Sequence, residues 1–208
     1  FIKDFDARVL KLSTNYRSTK RIITCANQLI KFNPKRDYLP MYACQERGGD
    51  VIHYAFLDQR EEANALLETM RHHQKIHPNH QIGILYRNHE RGFHIKQRMV
   101  ETDDYRLKLD GNVHLMTIHQ SKGLEFDFVI LLGLEHGELP MLMDYTQETL
   151  EEERRLFYVG ITRAKDELVL TSTKRNRFDT VTTPSVFLKE SRVKTVPFIR
   201  SKCYNKHR

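Results

Sequence analysis

The sequence predicts an α/β protein with a mostly parallel sheet held between helices, and two observations carry that prediction. Residues 113–118 and 126–132 are apolar, β-branched and aromatic runs of strand length, the pattern of strands covered on both faces. Further short runs of this kind alternate with segments of helical period, the order that builds a parallel sheet with helical crossovers. Between the two apolar runs stand Thr117, His119, Lys122, Gly123 and Glu125, a polar set denser than a connection needs merely to turn the chain.

Taken in order, residues 9–12 form a short strand candidate that runs through Asn15, Tyr16, Arg17 and Ser18 into a helix. Ile22, Ile23, Ala26, Leu29 and Ile30 make one apolar stripe on that helix, and Ser18 or Thr19 can cap it. Tyr16 and Arg17 are therefore expected in a strand-to-helix turn, where open α/β sheets collect ligands. Position alone slightly favours a plainer reading, with Tyr16 packed at the core edge and Arg17 solvated. Residues 33–50, with Pro34, Pro40, Gly48 and Gly49, read as an irregular connection. Residues 51–56 are the next strand, and residues 60–76 a helix with Ala63, Leu66, Leu67 and Met70 on one face, stopped by Pro78. His72, His73, His77 and His80 read as a polar helix end rather than a metal site, because the carboxylate or cysteine ligands usual beside them are missing.

A third strand at 82–86 precedes Arg87, Asn88 and His89 and then a basic, helix-like segment with Arg91, Lys96 and Arg98, read as a solvated face. Residues 101–111 are polar and turn-rich. After residue 133 a loop runs to 145, and Thr149 with Glu152 has capping-box spacing at the start of a helix reaching Lys165. On it Glu151 and Arg155 can pair at i, i+4. Leu156, Val159 and Arg163 share a phase, so the Arg163 guanidinium leaves near a buried face and needs an anionic partner, phosphate or carboxylate. A strand at 168–171 closes the sheet, a short helix covers 184–190, and the tail with Lys194, Arg200, Lys202, Lys206 and Arg208 is expected to be loosely ordered.

The 208 residues, 39% of them hydrophobic, suffice for one substantial core. A formal net charge of +7 and a pI near 9.3 favour anionic partners, nucleic acid or nucleotide above all. Three cysteines without a CxxC pair suggest neither a disulfide framework nor a cysteine zinc site, and they fit a reducing, cytoplasmic compartment. No apolar run reaches the length of a membrane span and no signal peptide opens the chain, so no membrane association is expected. A first residue of Phe1 rather than Met suggests a piece of a longer protein.

Three blocks, NYRST at 15–19, TIHQSKGLEF at 117–126 and YVGITRAK at 158–165, resemble motifs IV, V and VI of the UvrD/PcrA/Rep family of superfamily I DNA helicases. The resemblance runs from about residue 12 to 188 and covers only the second RecA-like motor domain, called 2A. It implies a RecA-like domain over residues 1–190 and a basic tail at 191–208, with the family's 2B insertion absent or minimal near 90–112. It also implies that Tyr16 stacks on adenine and that Arg17 and Arg163, as the catalytic pair, reach the γ-phosphate of ATP. Glu125 would accept a hydrogen bond from the ribose, and Gly123 would let the backbone come close. Thr117 and His119 would touch single-stranded DNA, with Lys122 supporting the same turn.

The chain also departs from a complete motor. It contains no GxxxxGKS/T loop, and no acidic box follows an apolar strand, so the Walker A half is missing. ATP with Mg2+ is then expected to be held mainly by a first RecA-like motor domain elsewhere in the parent chain, and this chain alone is expected to be inactive. The resemblance implies the C-terminal motor domain of an ATP-dependent DNA helicase. Such a helicase would move 3′ to 5′ on single-stranded and duplex DNA, in a cytoplasmic, nucleoid-associated role such as DNA repair. Two other readings stand beside it: a non-catalytic nucleic-acid-binding or regulatory module, and a helicase-nuclease subunit.

Overall fold

A computed structural model describes residues 12–34, 40–45, 49–104, 107–109, 111–141 and 146–198. Its strands are β1 (Thr14–Thr19), β2 (Tyr42–Gln45), β3 (Val51–Phe56), β4 (Ile82–Tyr86), β5 (Val113–Thr117), β6 (Phe126–Leu131), β7 (Ala164–Thr173) and β8 (Thr195–Val196). Its α-helices are α1 (Lys20–Ile30), α2 (Gln59–Ile76), α3 (Phe93–Thr102), α4 (Gln147–Ile161) and α5 (Val186–Glu190). Six strands form one sheet in the order β5-β4-β6-β7-β3-β8, and β1 and β2 pair separately. Every pairing between named strands is parallel, so the α/β class read from the sequence holds.

The sheet's two faces are covered by different helices. Ile22 and Leu29 of α1, Phe157 and Ile161 of α4 and Phe187 of α5 pack on one face, and Leu66 and Met70 of α2 with Ile95 and Met99 of α3 pack on the other. β4 is buried at all five positions, as its unbroken apolar run requires. Each of these large side chains contributes about 1.5–3 kcal/mol by leaving water. No described helix is long and apolar enough to cross a membrane.

The α1 stripe forms as read, with Ile22, Ile23, Ala26, Leu29 and Ile30 all buried. Its approach differs. Tyr16 and Arg17 lie within β1 rather than in a turn after an earlier strand, and residues 9–11 of that predicted strand lie outside the described residues. The Asn15 side-chain oxygen accepts from the N–H groups of Arg17 (3.0 Å) and Ser18 (2.8 Å), which shifts the β1–β2 register and gives the strand a local bend. Thr19 takes the N-cap position of α1 without a side-chain cap bond, while the Ser18 hydroxyl donates to Ala164 O of β7 at 2.6 Å.

α4 starts three residues earlier than read. Thr146 and Thr149 form the reciprocal capping box, and the helix ends at Ile161, so Arg163 leaves from the turn beyond it. The Glu151–Arg155 pair forms at 3.2 Å. β7 does not close the sheet: it spans ten residues and lies between β6 and β3. Residues 35–39, 46–48, 105, 106, 110, 142–145 and 199–208, which belong to predicted loops and the basic tail, lie outside the described residues.

His53 in β3 is 2% exposed and sits between Thr195 Oγ1 of β8 at 2.8 Å and Ser172 Oγ of β7 at 2.9 Å. Burial holds its imidazole down at about 4, so it is neutral in the folded chain, whereas the unfolded chain takes up the proton near pH 6.5. The stabilisation is therefore complete above pH 6.5 and is lost as the pH falls towards 4. We expect urea unfolding of the wild type to lose up to about 3 kcal/mol more across this window than unfolding of His53→Gln.

Candidate functional site

β5 and β6 run parallel on opposite sides of β4, so residues 118–125 cannot simply turn back. They carry the chain across the sheet from its carboxyl end to its amino end. The crossing begins where Ile118 N–H donates to Tyr86 O at 2.9 Å and ends where Phe126 N–H donates to Arg163 O at 2.9 Å. Ile118 is buried against α4, and Gly160 admits this close approach, since a Cβ there would lie 2.9 Å from Leu131 and 3.4 Å from Ile118. The polar set that looked like one turn is thus divided. Thr117, His119 and Gln120 stand at the carboxyl end and Glu125 at the amino end, with Lys122 and Gly123 exposed between them. Gly123 has φ +91°, a conformation that disfavours a side chain, and nothing lies within 4 Å of where a Cβ would be.

At the amino end the chain brings together Arg17, Glu125 and Arg163. Arg17 Nε lies 2.5 Å from Glu125 Oε2, with the two side chains 37% and 46% exposed. The N–H is not aligned for a hydrogen bond, so the contact is an ion pair. Arg163 is held by carbonyls instead: Nε donates to Val159 O at 3.1 Å and Nη1 to Leu124 O at 3.0 Å. Partial burial pulls its guanidinium below the usual range, the nearby Arg17 charge adds to this, and Glu125 opposes it. Two cations thus share one carboxylate at an open surface. Tyr16, on the same strand as Arg17, is 72% exposed, which overturns its reading as a core-edge residue.

At the carboxyl end Thr117 is buried and turned inward. Its hydroxyl donates to Gln120 Oε1 at 3.0 Å and accepts from Gln120 N–H at 3.2 Å, which leaves His119 and Gln120 on the surface. Arg87 is bound to Glu153 at 2.9 Å and Asn88 to Glu138 at 2.6 Å. Arg91, read as a solvated charge, is 3% exposed and lies between Glu62 (2.5 and 2.8 Å) and Glu135 (3.2 Å). Burial works against this charge, but the two carboxylates outweigh it and hold the guanidinium above its usual range. Burial pushes the Glu135 carboxyl up, opposed by Arg91, and the same carboxylate accepts the Thr173 N–H at the end of β7.

Beyond β7 the chain makes a tight hairpin that the sequence reading missed. Arg175 bridges to Val181, and Asn176 Oδ1 accepts from the N–H groups of Phe178 (2.9 Å) and Thr180 (3.0 Å). Phe178 is 72% exposed, the Arg177 guanidinium lies 4.6 Å from its ring centroid, and Arg177 also pairs with Glu90 at 2.8 Å. The available signal was the short run KRNRFD, where an aromatic residue among arginines sits in a turn-forming context.

Fold and site together define a parallel α/β domain that presents paired guanidinium groups at one end of its sheet and a basic, aromatic hairpin at the other. The chain belongs to the UvrD-like helicase C-terminal domain family, whose model matches residues 10–103 and 98–175. It is 49% identical over 79 residues to the ATP-dependent DNA helicase Rep of Salmonella typhimurium, covering 38% of this chain and 12% of that protein. It is 56% identical over 63 residues to the ATP-dependent DNA helicase PcrA of Bacillus subtilis, covering 30% of this chain and 8% of that one. A probable DNA helicase of Mycoplasma pneumoniae is 29% identical over 194 residues, covering 89% of this chain and 36% of that protein. The chain therefore spans about a third or less of these relatives. The crystal structure of the C-terminal domain of a possible DNA helicase from Lactobacillus plantarum WCFS1 shares the fold, with a TM-score of 0.58 and 16% identity, covering 85% of this chain and 94% of that one.

Removing the Arg91 side chain leaves two buried carboxylates facing each other. Arg91→Ala is expected to cost about 3–5 kcal/mol of stability, measured by urea unfolding, whereas removal of a solvated arginine costs little.

Proposed function

We propose that this chain is the second motor domain of an ATP-dependent DNA helicase. In this reading Arg17 and Arg163 complete a nucleotide site whose phosphate cradle and Mg2+ ligands lie on a first motor domain. The observation that carries the proposal is the charge balance at the amino end, where, among the described residues, two partly exposed guanidiniums share Glu125 alone. Phosphate oxygens would take over from Glu125 as the partner of Arg17 and add to the carbonyls that hold Arg163. An exposed ion pair is worth about 0–1 kcal/mol, so the exchange costs little. Glu125, once released, is free to accept from a ribose hydroxyl, Tyr16 offers an exposed ring for the base, and the guanidiniums stabilise charge that develops in phosphoryl transfer.

DNA would lie at the opposite end of the sheet, against His119, Gln120 and the Phe178 hairpin, with Lys122 and Thr117 supporting the crossing segment. That segment gives nucleotide state a mechanical route to DNA grip. Movement 3′ to 5′ and a cytoplasmic, nucleoid-associated role in DNA repair belong to the same proposal. A regulatory module without a motor would have no use for under-compensated guanidiniums at an open edge.

In the intact parent, Arg163→Ala is expected to lower ATP turnover on the order of 10³-fold with nucleotide binding largely kept. Near-normal turnover in a steady-state assay overturns the motor reading. Phe178→Ala is expected to weaken oligothymidylate binding by about 1–3 kcal/mol in fluorescence anisotropy, without altering nucleotide affinity.

A further inference from the structure

A separate groove lies between α1, the start of β3 and residues 191–196, with a volume of about 720 Å³. Its floor is largely aliphatic, formed by Val51, Ile52, Val193 and Val196. Its rim is basic, with Lys20, Arg21, Arg192 and Lys194 set, among the described residues, against a single carboxylate, Asp50, which is ion-paired with Arg21. Lys20, Arg192 and Lys194 make no ion pair with another described residue. The groove also reaches the start of α1, where the first turn holds no acidic residue and Thr19 gives no side-chain cap. The helix dipole adds positive potential there. Thr19 itself is 1% exposed and its hydroxyl oxygen has no hydrogen-bond partner. Along the far wall runs β8, which pairs with β3 on one side and forms an edge of the sheet.

We propose that this groove docks an acidic, aliphatic peptide segment of a partner protein, laid along the β8 edge. Carboxylates of such a segment would meet the three uncompensated cations, and its aliphatic side chains would cover the valine and isoleucine floor. A strand added to a sheet edge gains backbone hydrogen bonds as well. Other occupants fit less well. Among the described residues no aromatic side chain lines the groove, so a nucleobase finds no stacking surface there, and inorganic phosphate has no use for an aliphatic floor. Residues 199–208 carry Arg200, Lys202, Lys206 and Arg208 with no acidic residue, so they lack the charge that this rim selects. A second copy brings the same net positive charge. Arg17, Glu125 and Arg163 do not line the groove, so the inference stands apart from the motor reading.

The test titrates the 208-residue chain into a fluorescein-labelled nonapeptide of alternating glutamate and valine and reads anisotropy. Saturable binding is expected, weakened at least about tenfold in the triple variant Lys20→Glu, Arg192→Glu, Lys194→Glu, with an unchanged thermal midpoint. An alternating lysine and valine peptide is expected not to bind. If the triple variant does not fold, the exposed single change Lys194→Glu is read instead, with about threefold weakening expected. The proposal is overturned by absence of saturable binding at millimolar peptide, by equal affinity of the charge-reversed chain, or by binding of the lysine peptide. Full displacement by oligothymidylate or by millimolar inorganic phosphate overturns it too, and assigns the groove to nucleic acid or to a free anion.

Discussion

The parallel placement of β5 and β6 around β4 is the constraint on which the rest of the molecule depends. Because the strands share a direction, a short segment has to traverse the sheet, and it surfaces at both ends. Its first residues shape the carboxyl end through the mutual hydrogen bonds of Thr117 and Gln120, and its last places Glu125 beside Arg17 at the amino end. Close packing beneath it, with Ile118 over Gly160, leaves little slack between the two.

The fold treats its arginines in two distinct ways. Arg91 and Arg154 are buried and their charges compensated: Arg91 faces Glu62 and Glu135, and Arg154 faces Glu190 at 2.7 and 2.9 Å with Asn33 beside it. Such charges hold distant parts of the chain in register, and Arg91 Nε, which has no hydrogen-bond partner, is buried out of a ligand's reach. Arg17 and Arg163 are partly exposed and share one carboxylate, so they retain unused donors at a surface. Charge accounting therefore separates compensated, buried guanidiniums from under-compensated, surface ones more cleanly than sequence position does.

Legibility followed the range of the interactions involved. The strands and the α1 stripe could be read because burial imposes periods of about two and about 3.6 on neighbouring residues. The bend at Asn15 escaped because one side-chain oxygen reorganises two backbone donors within what looked like a loop. The α4 cap was misplaced because Thr146 and Thr149 both have capping chemistry, and the choice between them rests on where the helix docks. Arg91 was misread because its partners stand 29 and 44 residues away. Likewise the division of the 117–125 set between two ends depends on strand order, which no local pattern encodes.

The hydrogen bond from Ser18 to Ala164 O joins the residue after Arg17 to the residue after Arg163. Two prongs that are remote along the chain are thereby mounted on a common base, and their separation is set when the protein folds. Under the proposed function an arriving anion would meet a fork already cut to width, and the entropy of aligning its tines would have been spent long before the encounter.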